Sequence, residues 1–157
     1  MSRLRAAALA LVLAAVLPAC NGTGNPTIPD VTNAVLSVTV DPTPVAATQN
    51  PLTFQVSAAY KINIKETNGL GGEFQFVSAS VYDPASGGQV ALQYYDSADL
   101  TVFVGQKRIE PLGELVVSQT MSYTLPDYTK AANMVVTVQM KDDRANLIMR
   151  SLLVKIE

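Results

Sequence analysis

The run LTFQVSAAYKINIK, residues 52–65, constrains the fold more than any other stretch of this chain. Leu52, Phe54, Val56, Ala58, Tyr60, Ile62 and Ile64 share one parity, and Thr53, Gln55, Ser57, Ala59, Lys61, Asn63 and Lys65 share the other. Successive side chains of a strand point to opposite faces, so this parity predicts a long strand with one face in a core and one in water. The alternation recurs at Leu36, Val38 and Val40, and again at Met134, Val136, Val138 and Met140. It recurs at Leu115, Val117, Met121, Tyr123 and Leu125, where Gln119 alone interrupts it. Shorter apolar runs at 74–82, 89–95, 100–104 and 147–156 bring the expected strands to eight.

Turn chemistry separates these runs: TNGLGG at 67–72, DPASGG at 83–88, PLG at 111–113, LPDYTKAAN at 125–133 and KDDRAN at 141–146. Gly, Asn and Asp supply positive φ, while Pro fixes φ and lacks a ladder donor. No sustained 3.6-residue apolar period follows residue 33, and no internal repeat is visible. The expectation is an all-β chain whose residues 34–157 form one antiparallel β-sandwich of about eight strands. The opening strand LSVTVDPTPV, the long second strand, the late strand MVVTVQM, the turn DDRAN and the closing strand LLVKIE together resemble the immunoglobulin-like sandwich domains of bacterial envelope lipoproteins, a largely uncharacterised family. The resemblance implies an architecture and no catalytic residue, since fold alone does not fix function.

The first 20 residues carry a different signal. Residues 1–5 hold two arginines and no acid, and residues 6–17 are unbroken apolar chain. A helix that crosses the hydrocarbon core needs roughly 20 apolar residues, so this short run reads as a cleaved export signal. Pro18 disfavours the α conformation at Leu17 and presents Leu17, Pro18, Ala19 and Cys20 as extended chain that a peptidase can grip. This junction resembles the lipobox of bacterial lipoproteins, with Pro18 at a position where that pattern usually has a small or β-branched residue. The resemblance implies a lipoprotein signal peptide over 1–19, cleavage before Cys20, and lipid attachment, palmitate included, at Cys20. Two or three acyl chains anchor a protein stably where one does not. Residues 20–33, rich in Gly, Pro, Asn and Thr, read as a flexible tether. The expected location is the bacterial cell envelope, lipid-anchored to the outer membrane rather than the inner, facing periplasm or cell surface.

Composition narrows the activity. Histidine is absent and Cys20 is the single cysteine, so Ser-His, Cys-His and zinc-site chemistry lack their components. Without Arg3 and Arg5, 9 basic side chains face 13 acidic ones, a formal charge of −4, which makes nucleic acid a poor partner. Asp142, Asp143 and Asn146, with Asp83 in a second loop, could offer oxygens to a cation, yet no D-x-D-x-D spacing exists and the residues read as turn formers. The glycines of ETNGLGGEF lack the Lys-Ser/Thr pair and the following helix of a phosphate cradle, and read as a hairpin loop. Tyr94 beside Tyr95 forces one ring outward on a strand; such a ring can anchor a binding surface, but it is also common on sandwich faces without a partner, and this ring reads as one of those. Asp127, Glu110 and Glu114 are carboxylates in or near loops with nothing in their spacing that sets the separation a glycosidase requires. The expected protein has no catalytic residue, metal or cofactor. It is a membrane-anchored structural or binding module whose partners are membrane lipid, through acylated Cys20, and an unidentified envelope protein. Three other readings remain: a protease inhibitor with residues 67–72 as bait, a subunit of a surface or secretion complex, and a carboxylate-based hydrolase.

Overall fold

The computed structural model describes residues 30–157, so the expectations for residues 1–19 and for Cys20 lie outside the described residues. The strands are β1 (Leu36–Asp41), β2 (Ala47–Gln49), β3 (Val56–Glu66), β4 (Gly72–Tyr82), β5 (Gln89–Asp96), β6 (Arg108–Ile109), β7 (Glu114–Tyr123), β8 (Ala132–Asp142) and β9 (Leu147–Ile156), with one short helix, α1 (Ser97–Phe103). In one sheet β3 is central, flanked by β7 on one side and by β1 and β2 in succession on the other. The second sheet runs β5-β4-β8-β9, with β6 against the first residues of β4. All ladder pairs are antiparallel, and a single parallel bridge from Val45 to Ile156 stitches the sheets together. The fold is an all-β antiparallel sandwich.

Alternation dictates the core. On β3, Val56, Ala58, Tyr60, Ile62 and Ile64 are buried and face Met134, Val136, Val138 and Met140 of β8 in one continuous cluster. Each fully buried large apolar side chain stabilises by about 1.5–3 kcal/mol relative to exposure, so such ladders are a dominant favourable contribution.

Three expectations need correction. The expected strand from residue 52 begins only at Val56. The Asn50 side chain accepts the backbone N–H of Leu52 at 2.9 Å and of Thr53 at 3.2 Å, which folds the segment into a turn before the ladder starts. Leu52 is consequently 87% exposed, and Phe54 sits in the left-handed region at φ 58°. The expected strand at 100–104 is instead the end of α1. The Asp96 carboxylate accepts the N–H groups of Ala98 and Asp99, and the Asp99 carboxylate accepts that of Asp96, a reciprocal cap that selects helix over alternation. Finally, β2 and β6, of 3 and 2 residues, are too short to carry a readable period.

A register shift between Phe74 and Phe76 also matters for the surface. Phe74 is buried, but one extra residue in the bulge turns Phe76 to the outer face of the sheet.

Candidate binding face

The loop carboxylates are consumed by the fold. Asp142 accepts the N–H of Ala34 at 3.1 Å, of Arg144 at 3.0 Å and of Asn146 at 2.8 Å, and the Asn146 side-chain amide at 3.0 Å. Burial pushes its pKa up, yet these donors outweigh burial and hold the carboxyl below its ordinary value. Asp143 forms a bidentate pair with Arg108, both contacts at 2.7 Å. Asp83 accepts the Ser86 hydroxyl at 2.6 Å and the Ala85 N–H at 2.9 Å. Among the described residues no cluster of three or more acidic, His or Cys side chains could hold a metal.

Glu66 escapes notice in the sequence. It is fully buried and accepts four backbone N–H groups: Val35 at 3.2 Å, Asn68 and Gly69 each at 2.8 Å, and Leu112 at 2.9 Å. Burial again pushes its pKa up and is outweighed by the four donors, so the carboxyl sits below its ordinary value. The available signal was parity, because Glu66 continues the inward series Ile62, Ile64. Asp142 likewise continues the inward series of β8 and Gln119 that of β7. The fold thus spends Glu66 and Asp142 on fastening residues 34–35 and three loops to one end of the sandwich.

The glycine loop is fastened there too. A Cβ on Gly71 would lie 2.7 Å from the Ile109 carbonyl oxygen, and one on Gly72 would lie 2.7 Å from that of Lys141. These glycines permit backbone to approach backbone, which leaves no anion cradle. Thr67 also donates its N–H to Val35 at 2.9 Å, and only residues 67–69 are exposed. Asp127 caps its own turn through Thr129. It lies at the end of the sandwich opposite Glu110, which contacts Arg108, and Glu114, which stands across the ladder from Lys65. Asp127 is therefore not brought together with Glu110 or Glu114.

The two outer faces of the sandwich differ in kind. The face of β1-β3-β7 presents mainly polar and charged side chains, Ser37, Thr39, Asp41, Lys61, Lys65 and Glu114, with Val116 an exposed apolar one among them. It holds a depression of about 430 Å³ over Ala59, Ser118 and Thr120. The face of β5-β4-β8-β9 carries three successive cross-strand rows: Leu92, Ser80, Val135, Leu153; then Tyr94, Ser78, Thr137, Ser151; then Asp96, Phe76, Gln139, Met149. The only charge in those rows is Asp96, whose carboxylate is turned into the cap of α1.

On this face Tyr94 is the outward ring of its pair. It is 53% exposed and stacks on Phe76 with centroids 5.3 Å apart, whereas Tyr95 packs against the core and meets Phe103 edge-on. Leu92, Met149 and Leu153 are 54%, 56% and 66% exposed. These apolar groups lie in the middle rows of the sheet, and the rows at its two ends carry charge, Glu73 and Lys141 at one and Lys155 at the other.

No protein-family model matches the chain, and no curated protein matches it in sequence. Among solved structures, the chain is similar to one from Bordetella pertussis bearing the name ApaA, with a TM-score of 0.54 and 14% identity over 78% of this chain and 92% of that one. It is also similar to a structural-genomics target, SoR45, with a TM-score of 0.54 and 11% identity over 78% and 86% of the two chains. At these identities the likeness extends to the fold alone. Among the described residues no helix is long and apolar enough to cross a membrane.

Proposed function

We propose that this chain is a lipid-anchored, non-catalytic binding or structural module of the bacterial cell envelope, held by acylated Cys20 and presenting the outer face of β5-β4-β8-β9 to a protein partner. The observation that carries the reading is the contrast between the two outer faces: Lys61, Lys65, Asp41 and Glu114 solvate one, while Tyr94, Phe76, Leu92, Met149 and Leu153 gather on the other. The anchor rests on the sequence at Leu17, Pro18, Ala19 and Cys20.

Two measurements on the full chain in living cells test the two halves. Labelled palmitate should enter the chain and be lost in Cys20→Ser. A photo-crosslinking residue at Leu92 should form protein adducts that the same residue at Ser118, on the polar face, does not form. Lack of label removes the anchor from the reading, and equal or absent adducts at the two positions remove the face.

A further inference from the structure

The occupant of this face follows from its symmetry, and the inference rests on the binding-face reading above. We propose that the partner is a second copy of this chain, packed face to face about a two-fold axis that lies between the sheets, parallel to the strands, over the line between β4 and β8.

Such an axis exchanges the two sides of the sheet and keeps every row level. The Leu92 row of one copy then reads against Leu153, Val135, Ser80, Leu92 of the other, so Leu92 meets Leu153, and Ser80 meets Val135. In the next row Tyr94 covers Ser151, and Ser78 meets Thr137. Large side chains at the β5 and β9 margins thus overlie each other, or small ones, and the low Ser and Thr centre lies on its own counterpart. Two sheets that pack within about 30° of parallel need this kind of interdigitation.

Charge placement agrees with the same axis. Glu73 on β4 and Lys141 on β8 are cross-strand neighbours, one step beyond the bulge from the Phe76 row. Glu73 already pairs with Lys107 at 2.8 Å and accepts the Ser97 hydroxyl at 3.1 Å, and the axis brings Lys141 of the other copy beside that pair, once on each side. In the third row the same axis lays Phe76 on Gln139 and Met149 on Asp96, whose carboxylate is bonded within the cap of α1.

The area is sufficient for a weak dimer. Four strands spaced ~4.8 Å apart span about 19 Å, and the three rows together with Glu73–Lys141 at one end and Tyr82–Asn133 at the other extend about 30 Å, so two copies remove roughly 1,100 Å². That clears the ~1,000 Å² expected of a specific interface and sits at its lower end. Pairing instead through the free edge of β9 is opposed by Arg150, a charge on that edge strand whose position in the ladder is opposite buried Val138.

The test uses the full chain carrying Leu92→Cys and Leu153→Cys together. These positions lie on the outermost strands of one sheet, three strand spacings or about 14 Å apart, too far for a disulfide within one copy. Mild oxidation should give covalent dimers from the double variant, whereas a Ser37→Cys and Thr120→Cys control, on the outer face of the other sheet and two strands and three rows apart, should give none above the unsubstituted chain. Sedimentation equilibrium of the full chain in detergent should show a dimer with micromolar dissociation constant, weakened at least tenfold by Leu153→Asp and by Lys141→Glu. A full chain that stays monomeric at 100 µM, or a dimer that ignores both substitutions, overturns self-association. Adducts from Leu92 to a different envelope protein would then leave the binding face standing with another occupant. Absence of all adducts would remove both.

Discussion

Tyr60 on β3 lies directly across the ladder from Gln119 on β7 and reaches its side-chain oxygen at 2.8 Å, while the Gln119 amide nitrogen is buried with no hydrogen-bond partner. Tyr60 also approaches the Gln93 side-chain oxygen at 3.1 Å, and one hydroxyl proton cannot serve both acceptors. If the Gln119 amide is turned to donate to Tyr60, its oxygen becomes the orphan instead. Either orientation leaves one buried polar atom unpaired at a cost of about 1–3 kcal/mol.

The first prediction follows from that orphan. Gln119→Leu removes it and leaves the Tyr60 hydroxyl bonded to Gln93, so the substitution should be neutral or stabilising by up to about 2 kcal/mol. Gln119→Glu places a carboxylate in the same buried position and should destabilise by about 3 kcal/mol or more. Urea denaturation of the two variants decides it, and a large loss in Gln119→Leu would mean that the amide is paired through a group such as water.

Glu66 yields a pH prediction. Its folded-state pKa is depressed, and so is that of Asp142. A depressed carboxyl binds fewer protons folded than unfolded, so the stability it supplies is complete above the ordinary carboxyl range and is lost as pH falls through the folded value. The urea midpoint should therefore hold near neutral pH and drop steadily below about pH 4.5. Glu66→Gln turns amide protons toward backbone donors and should cost about 3 kcal/mol at pH 7, with a shallower acid dependence than the parent. Parallel acid profiles for parent and variant would assign the acid sensitivity to other groups.

The β3 ladder and the turn before it should respond differently to the same kind of change. Ile62 is fully buried, so Ile62→Ala should cost about 2–5 kcal/mol. Phe54 is partly exposed and held at positive φ, with its ring 4.8 Å from that of Tyr128. Phe54→Gly relieves the backbone and loses that contact, and should stay within about 1 kcal/mol of the parent. A loss at residue 54 as large as at 62 would place Phe54 in the core after all.

These residues show what one dimension carries. From Val56 onward, parity identifies the buried face of β3 correctly, because one periodic signal and one hydrophobic face are the same fact. It fails at Leu52 and Phe54, where the Asn50 side chain captures the chain before pairing begins. It fails again at Leu100, where alternation fits L-T-V-F-V as well as a helix does and the Asp96 and Asp99 cap decides. That one ring of Tyr94 and Tyr95 points outward was legible from their adjacency, but which one was not. Nor was the face it belongs to, because Met149 and Leu153 join Phe76 only through cross-strand register, and Phe76 faces outward only through a bulge. Glu66 and Asp142 read as surface charge by type and as core by parity, and parity was right.

The last prediction probes how tightly the end fastened by Glu66 and Asp142 is packed. Gly72 faces Asp142 in the β4–β8 ladder, and a Cβ there would meet the Lys141 carbonyl oxygen at 2.7 Å and the Asp142 Cα at 2.9 Å. Both are backbone atoms of a strand already bonded on its other side to β9, so neither can retreat without opening a ladder. Gly72→Ala should therefore destabilise by about 2 kcal/mol or more, even though alanine suits a strand no worse than glycine. Gly87 is the comparison: it has open space around it and only a positive φ of 70° to resist a side chain, so Gly87→Ala should cost about 1 kcal/mol. Hydrogen exchange would separate the causes. In Gly72→Ala, faster exchange should centre on the N–H groups of Val35, Asn68 and Gly69 that bond Glu66, whereas in Gly87→Ala it should stay within residues 83–88. Uniform acceleration across both sheets in Gly72→Ala would show that this end of the sandwich is not a separate closing unit and that the strain spreads through the whole core.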